Sequence, residues 1–152
     1  MDKFVSVKDT SKNIEVILPS EEIFKRKLLD VLGDEYLIIK SQYKYCSIDF
    51  CIINKWNLKI LHLEHKQRNC HKNRYPSTII NYSKLMSYKR NYNNTILIWS
   101  YETDAVKYLV YSEDLLKYET SHCKNQDVIF INNETLLDGF DNLIATIQLK
   151  LK

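Results

Sequence analysis

Apolar residues recur at both helical and strand spacing along the chain, so elements of both kinds are predicted. The segment Pro19-Ser20-Glu21-Glu22 is typical of a helix start, with Ser20 as the cap, and Gly33 is the expected C-terminal cap. The apolar positions between them predict which residues the helix buries. This stripe is expected to consist of Ile23, Leu28, Val31 and Leu32, with Phe24 at its flank.

Strand-like segments follow this helix. Residues 36–39, 46–53 and 58–66 are rich in β-branched and other apolar residues and are predicted to be strands. Only residues 54–57 separate the last two, which predicts a β-hairpin. A further short hairpin is predicted from residues 4–7 and 14–18.

The second half of the chain continues the alternation. The remaining predicted elements are a helix over 77–92 capped by Ser77, a buried strand over 95–100, strands over 107–111 and 127–131 with a short helix between them, and a closing helix from Asn133 to about Lys150. This order predicts an α/β (α+β) fold with a central mixed β-sheet flanked by helices. No repeat or linker divides it, so we expect a single domain over 1–152, with a core at about 20–100 and a β-α-β-α extension over 101–152.

Composition narrows the class of protein. The chain has 152 residues, of which 45% are hydrophobic and 27% charged, as in an ordinary globular domain. Only two glycines and two prolines are present, which excludes collagen-like and linker-like readings and disfavours disorder and Gly-rich phosphate loops. No apolar run approaches the roughly 20 residues of a membrane-spanning helix. The four cysteines have no disulfide-framework spacing, so free thiols in a reducing, intracellular compartment (cytoplasmic or nuclear) are expected.

Charge is distributed unevenly. Between Lys40 and Arg90 there are eleven Lys and Arg residues and only two acids, so this segment carries +9, while the remainder carries −6. A basic segment with so few acids indicates a polyanionic partner such as nucleic acid. The two acids inside it are Asp49 and Glu64.

These two acids fall on the predicted hairpin. Residues two apart on a strand share a face, so Glu64 and Lys66 point the same way, and antiparallel pairing can bring Asp49 opposite the region of Glu64. The triplet Glu64-His65-Lys66 is also the one acid-x-Lys sequence in the chain. Two carboxylates can hold Mg²⁺ or Mn²⁺, and a lysine beside them can orient or deprotonate water and offset charge at a phosphate.

Ser47-Ile48-Asp49 followed by Glu64-His65-Lys66 resembles the PD-(D/E)XK nuclease superfamily, with a restriction-endonuclease-like or Holliday-junction-resolvase-like core. The resemblance implies a Mg²⁺- or Mn²⁺-dependent nuclease whose partner is nucleic acid, DNA more than RNA. It implies that Asp49 and Glu64 are metal ligands, that Lys66 positions the water, and that a helix acid, Glu22 rather than its neighbour Glu21, completes the metal shell. Ile48 stands where the superfamily has proline.

The resemblance extends to a predicted helix and to assembly. Tyr82-Ser83-Lys84-Leu85-Met86-Ser87-Tyr88 is similar to the Gln-Leu-x-x-Tyr motif of some exonuclease branches, with Lys84 in the place of Gln. Lys84 and Tyr88 share a helix face. Small members of the superfamily often act as homodimers, and the same is expected here. The residues expected to contact nucleic acid are Lys84, Arg68, Lys72, Arg74 and Tyr88. Tyr75 and Tyr82 are further candidates for stacking on bases.

Other readings of the same residues stay open. Asp49 and Glu64 can also pair with lysines on a solvated sheet face. A zinc site is the alternative for the following cysteines and histidines: Cys46, Cys51, Cys70, Cys123, His62, His65, His71 and His122. The chain can also be a non-catalytic nucleic-acid-binding module with a basic face. The sequence does not distinguish endonuclease from exonuclease action.

Overall fold

The structure is a computed structural model that describes residues 19–41 and 48–152. The chain divides into two compact units. The first runs to His65 and includes Ile144–Lys152, and the second is Lys66–Leu143. The single domain over 1–152, with a core at about 20–100 and an extension over 101–152, stays a prediction.

Helix α1 of the first unit spans Pro19–Leu32. It begins at Pro19, whose fixed φ suits a first helical position, so Ser20 lies within the first turn and not at the cap position. Gly33 ends it as predicted, with φ +79 and its amide on the Leu29 carbonyl at 3.0 Å. The predicted stripe is partly wrong. Phe24, Leu28 and Leu32 are buried, whereas Ile23 and Val31 are exposed, because the covered side of the helix follows steps of four residues.

Three antiparallel strands follow in the first unit: β1 Tyr36–Lys40, β2 Phe50–Asn54 and β3 Ile60–Gln67, in the order β1-β2-β3. The predicted β2–β3 hairpin is confirmed. Its inner face is fully apolar, and Phe50, Ile52, Leu61 and Leu63 have no solvent exposure. Asn54 closes the turn, since its side-chain oxygen accepts the Trp56 amide at 2.8 Å and its side-chain nitrogen donates to the Leu151 carbonyl at 2.8 Å.

The second unit contains the remaining strands and begins the last helix. In chain order the elements are β4 Ser77–Asn81, α2 Tyr82–Asn91, β5 Thr95–Ser100, β6 Val106–Val110, a 3₁₀ turn Glu113–Lys117, β7 Ser121–Cys123, β8 Gln126–Asn132, a 3₁₀ turn Asn133–Thr135, β9 Leu137–Asp138 and α3 Phe140–Lys150. Strand β6 pairs with β5 on one side and β9 on the other, and β8 pairs with β4 and β7, always antiparallel. Strand β5 is buried at all six positions, as predicted.

Two predicted helices are shorter than expected. The helix predicted over 77–92 begins only at Tyr82 with Asn81 as cap, because the β-branched run before it pairs with β8 as β4. The closing helix begins at Phe140 and not at Asn133, because β9 and Gly139, with φ +102, interrupt the helical path. Strand β7 was not predicted, and the 3₁₀ turn at Glu113–Lys117 replaces the predicted short helix.

Some predictions fall outside the described residues, namely the hairpin over 4–7 and 14–18 and the thiol of Cys46. Cys51, Cys70 and Cys123 form no disulfide in the part of the chain that the structure describes. Among the helices described, none has the length and apolar character needed to cross a bilayer.

Candidate active site

The β2–β3 hairpin positions the two acids of the basic segment. Phe50 lies opposite Leu63 and Cys51 opposite His62, so Asp49, which directly precedes Phe50, lies at the end of the hairpin near Leu63 and Glu64. Residues two apart on a strand share a face. Leu63 and the other buried apolar residues of β3 therefore point to one side, and Glu64 and Lys66 to the other.

Asp49 is bonded to β3 through both its backbone and its side chain. Its amide donates to the Leu63 carbonyl at 2.8 Å, and its carboxylate Oδ2 accepts the amide of His65 at 2.7 Å. The carboxylate thus takes the place of a backbone acceptor where regular pairing ends. Because His65 follows Glu64 directly, this bond anchors the Asp49 carboxylate beside the peptide that carries Glu64.

Glu64 is only 5% exposed, although it is ionisable. Glutamate is almost never fully buried unless charged or polar groups accompany it, because desolvation of the carboxylate is costly. Lys66, two residues later on the same face of β3, is exposed. The strand therefore carries a buried glutamate and, two residues later, an exposed lysine.

His65 faces the helix side of β3. Its ring stacks on Phe24 of α1, with centroids 4.2 Å apart and planes at 6°. Burial lowers the pKa of His65 from 6.5 to about 4, and the nearby Glu21 carboxylate offsets only part of this shift. The imidazole is therefore neutral at pH 7. The sequence does not by itself predict this stack, although strand alternation turns His65 to the face opposite Glu64 and Lys66.

Of the two helix acids, Glu21 acts on the His65 ring and pairs with Lys40. Glu21 Oε1 is 2.5 Å from the Lys40 ammonium, and its side chain is 26% exposed, so the ion pair is partly shielded. This follows from the stripe of α1: Glu21 lies three residues before Phe24, on the covered side. The structure does not bring Glu22 into a group of three ligands with Asp49 and Glu64, and over residues 19–41 and 48–152 no such group of His, Cys, Asp or Glu side chains occurs. The same holds for the described members of the proposed zinc set.

The residues expected to bind nucleic acid have different surroundings. Arg68 and Arg74 are exposed, and the Arg74 guanidinium lies 5.6 Å from the centre of the Tyr75 ring. Lys72 Nζ forms an ion pair with Asp138 at 2.9 Å. Lys84 is half-buried on α2.

Tyr88 requires a correction. It has no solvent exposure and makes an edge contact with Tyr111, the ring centroids lying 5.6 Å apart. A fully covered ring cannot stack on a base, so Tyr88 is a core residue. Lys84 and Tyr88 share one face of α2, and this face is half-buried at Lys84 and fully buried at Tyr88.

Comparison with known proteins bears on the fold. No protein-family model matches the sequence, and no curated protein matches it. A solved nuclease from a fusselovirus is similar in structure, with a TM-score of 0.54 and 13% identity over 99% of this chain and 95% of the other. Hjc, a Holliday junction resolvase from the archaeal hyperthermophile Archaeoglobus fulgidus, matches with a TM-score of 0.49 and 13% identity over 83% of this chain and 96% of the other.

The match to the fusselovirus nuclease concerns the fold, because the two sequences share few residues. The predicted fold class, α+β with a central mixed sheet flanked by helices, is confirmed. The fold that the resemblance to the PD-(D/E)XK nuclease superfamily implies is therefore observed, and the likeness at 13% identity extends to the fold alone. The chain therefore shares the fold of the fusselovirus nuclease, and its chemistry has to be argued from its own side chains.

Proposed function

We propose that this chain is a metal-dependent nuclease that hydrolyses phosphodiester bonds, acting as an endonuclease on DNA. The observation that supports it most is the 2.7 Å bond from the His65 amide to Asp49 Oδ2, which anchors one carboxylate beside the peptide of the buried Glu64. The nuclease fold and the basic segment between Lys40 and Arg90 agree with this chemistry.

The donor set of Asp49 and Glu64 fits Mg²⁺ or Mn²⁺. Both are hard cations that prefer carboxylate oxygens, and Mg²⁺ commonly takes one or two carboxylates and keeps several waters. When bound, such an ion polarises a phosphoryl oxygen and lowers the pKa of a coordinated water. The proposal needs no helix acid, so Glu22 is left out of it.

Lys66 completes the proposed site. It lies two residues from Glu64 on one face of β3, and it is exposed, so its ammonium is accessible to a phosphate. There the ammonium orients the attacking water and offsets negative charge that develops on the phosphoryl oxygens. In this proposal Asp49 and Glu64 bind the metal ion, and Lys66 acts on the water and the phosphate.

The alternative is a non-catalytic nucleic-acid-binding module. One observation favours it: no more than two potential ligand side chains come together among the described residues. Such a module would bind nucleic acid through its basic residues without binding Mn²⁺ at Asp49. A homodimer is compatible with either function and is expected by analogy with small nucleases of this fold.

Calorimetric titration with Mn²⁺ distinguishes the two functions. Wild-type protein should bind Mn²⁺, Asp49→Ala should lose this binding, and Asp34→Ala, which removes an exposed acid in the turn after α1, should keep it. A gel assay with single-stranded, duplex and branched DNA and RNA, with Mg²⁺ or Mn²⁺, then identifies the substrate. Equal Mn²⁺ binding by wild type and Asp49→Ala, with no cleavage of any substrate, would establish the binding module instead.

A further inference from the structure

The second unit contains a cavity of about 620 Å³, a size typical of small-ligand sites. Its apolar part includes Ile79 of β4 and Phe130 of β8, which are direct cross-strand partners. Each is nearly half exposed, at 44% and 45%, so the sheet presents a flat apolar surface to the cavity. Neither residue is part of the proposed active site.

The charged residues around this cavity are cationic. Arg68, Lys72 and Lys124 line it, and none of its described lining residues is an acid. Asp138 forms the ion pair with Lys72 at 2.9 Å and neutralises one of the three charges. An anionic ligand is therefore favoured over a neutral or cationic one.

Tyrosines add stacking and hydrogen-bonding groups. Tyr75 is 59% exposed, with the Arg74 guanidinium 5.6 Å from its ring centre, so ring and cation are available at the cavity rim. Tyr101 is buried, and its hydroxyl bonds to the side chain of Thr78. Burial raises the pKa of Tyr101, which keeps the phenol neutral.

The segment that carries these groups is held in place by backbone bonds at several points. The Arg68 amide donates to the Ser100 carbonyl at 2.8 Å. Asn133, itself 7% exposed, donates its side-chain amide to the Lys72 carbonyl at 2.9 Å and its backbone amide to the Pro76 carbonyl at 2.7 Å. A cavity fixed in this way loses little conformational entropy when a ligand binds.

We propose that this cavity binds one unstacked nucleotide of the substrate strand, with its base against Tyr75 and Phe130 and its phosphate against Arg68 and Lys124. Anionic charge and a flat apolar body occur together in a nucleotide, and single-stranded or branched nucleic acid presents a base in this form without the cost of flipping it out of a duplex. The inference rests on the proposed function, because it names the substrate form that the nuclease selects.

Binding measured without metal tests this inference separately from cleavage. Fluorescence anisotropy in EDTA compares a labelled single strand with a blunt duplex of the same sequence. Tyr75→Ala should weaken single-strand binding about tenfold and duplex binding less than twofold, since stacking of a base is lost. Tyr75→Phe, which keeps the ring, should restore single-strand affinity.

Matched controls come from outside the cavity. Tyr118→Ala removes a tyrosine of similar exposure, and Lys117→Ala is the control for Lys124→Ala. Both controls should retain wild-type affinity, whereas Lys124→Ala should weaken single-strand binding several-fold. The inference is overturned if Tyr75→Ala behaves like Tyr118→Ala, or if it weakens duplex binding equally.

Cleavage by the wild type with Mn²⁺ is measured in parallel. Cleavage together with unchanged single-strand binding by Tyr75→Ala leaves the nuclease proposal standing and removes the nucleotide site. If the wild type does not cleave but Tyr75→Ala loses single-strand binding as predicted, the nucleotide site stands and the nuclease proposal falls. The site would then belong to a binding protein.

Discussion

The proposed chemistry is most directly tested at Lys66 and Glu64. Both lie on one face of β3, and in the proposal both act at the same phosphate. Lys66→Ala and Glu64→Gln should each lower the single-turnover cleavage rate by about 100-fold or more. The double variant should be little slower than the slower single variant, since residues of one site act as a unit.

Lys59→Ala is the matched control for Lys66. Its ammonium donates to the terminal Lys152 carbonyl at 2.6 Å, and the residue lies at the exposed turn before β3. It should cleave at the wild-type rate. Multiplicative losses in the double variant, or a near-normal rate for Lys66→Ala, would contradict the assignment.

His65 predicts a pH dependence of stability. Its pKa is about 4 in the folded protein and 6.5 when exposed, so between these values only the unfolded chain binds the proton. The free energy of unfolding should therefore fall as the pH is lowered from 7 to 4, with about 3 kcal/mol contributed by His65, and this contribution should stay constant below pH 4.

Urea unfolding in EDTA at pH 4.5 and pH 7 measures this effect. His65→Phe should lose most of the difference between the two pH values, because phenylalanine keeps the stack on Phe24 and cannot titrate. His122→Phe, which removes an exposed histidine, should retain it. If His65→Phe keeps the full difference in unfolding free energy between pH 4.5 and pH 7, other groups cause that difference.

At the scale of elements, α1 packs on the side of β3 opposite to Glu64 and Lys66. We therefore expect Glu22→Gln to leave the Mn²⁺ concentration for half-maximal cleavage unchanged. Glu21→Gln should lower the free energy of unfolding by up to about 1 kcal/mol, since it breaks the ion pair with Lys40. Mn²⁺ titration of cleavage and urea unfolding of both variants measure these effects, and a higher Mn²⁺ requirement in Glu22→Gln would place α1 in the metal shell after all.

The segment between β3 and β4 carries the basic residues expected to meet the phosphates. Arg74→Ala should weaken DNA binding equally for unrelated sequences and reduce the slope of log K against log salt by about one. Lys72→Ala should have a smaller effect, because Lys72 must give up its ion pair with Asp138 to bind a phosphate. Arg26→Ala, which removes an exposed arginine of α1, serves as the control. If Arg74→Ala and Arg26→Ala give the same salt slope, a contact between Arg74 and a phosphate is excluded.

At the scale of the whole molecule, the predicted single domain implies one cooperative unfolding transition. The chain has two tryptophans, the exposed Trp56 in the first unit and the buried Trp99 in the second. In a Trp56→Phe variant, Trp99 fluorescence reports on the second unit, while far-ultraviolet circular dichroism reports on both. The two urea midpoints should coincide, and separate midpoints would show that the units unfold independently.

Much of the fold and part of the site were predictable from local sequence. Strand β5, the end of α1 at Gly33 and the β2–β3 hairpin follow from apolar spacing, a left-handed cap and a short turn, which are properties of neighbouring residues. The same hairpin brings Asp49 to β3, where its carboxylate accepts the His65 amide, while the joint role of Asp49 and Glu64 stays a prediction. The unequal charge of the basic segment also belongs to the sequence alone.

The tertiary structure decided what depends on distant partners. Residues 77–81 form a strand only because β8 lies beside them, and Tyr88 is buried because other elements cover its face of α2. The side of α1 that is covered, and with it the position of Glu21 beside Lys40, depends on what the helix packs against. Local spacing defines which residues share a face, whereas burial of that face is a property of the packed chain.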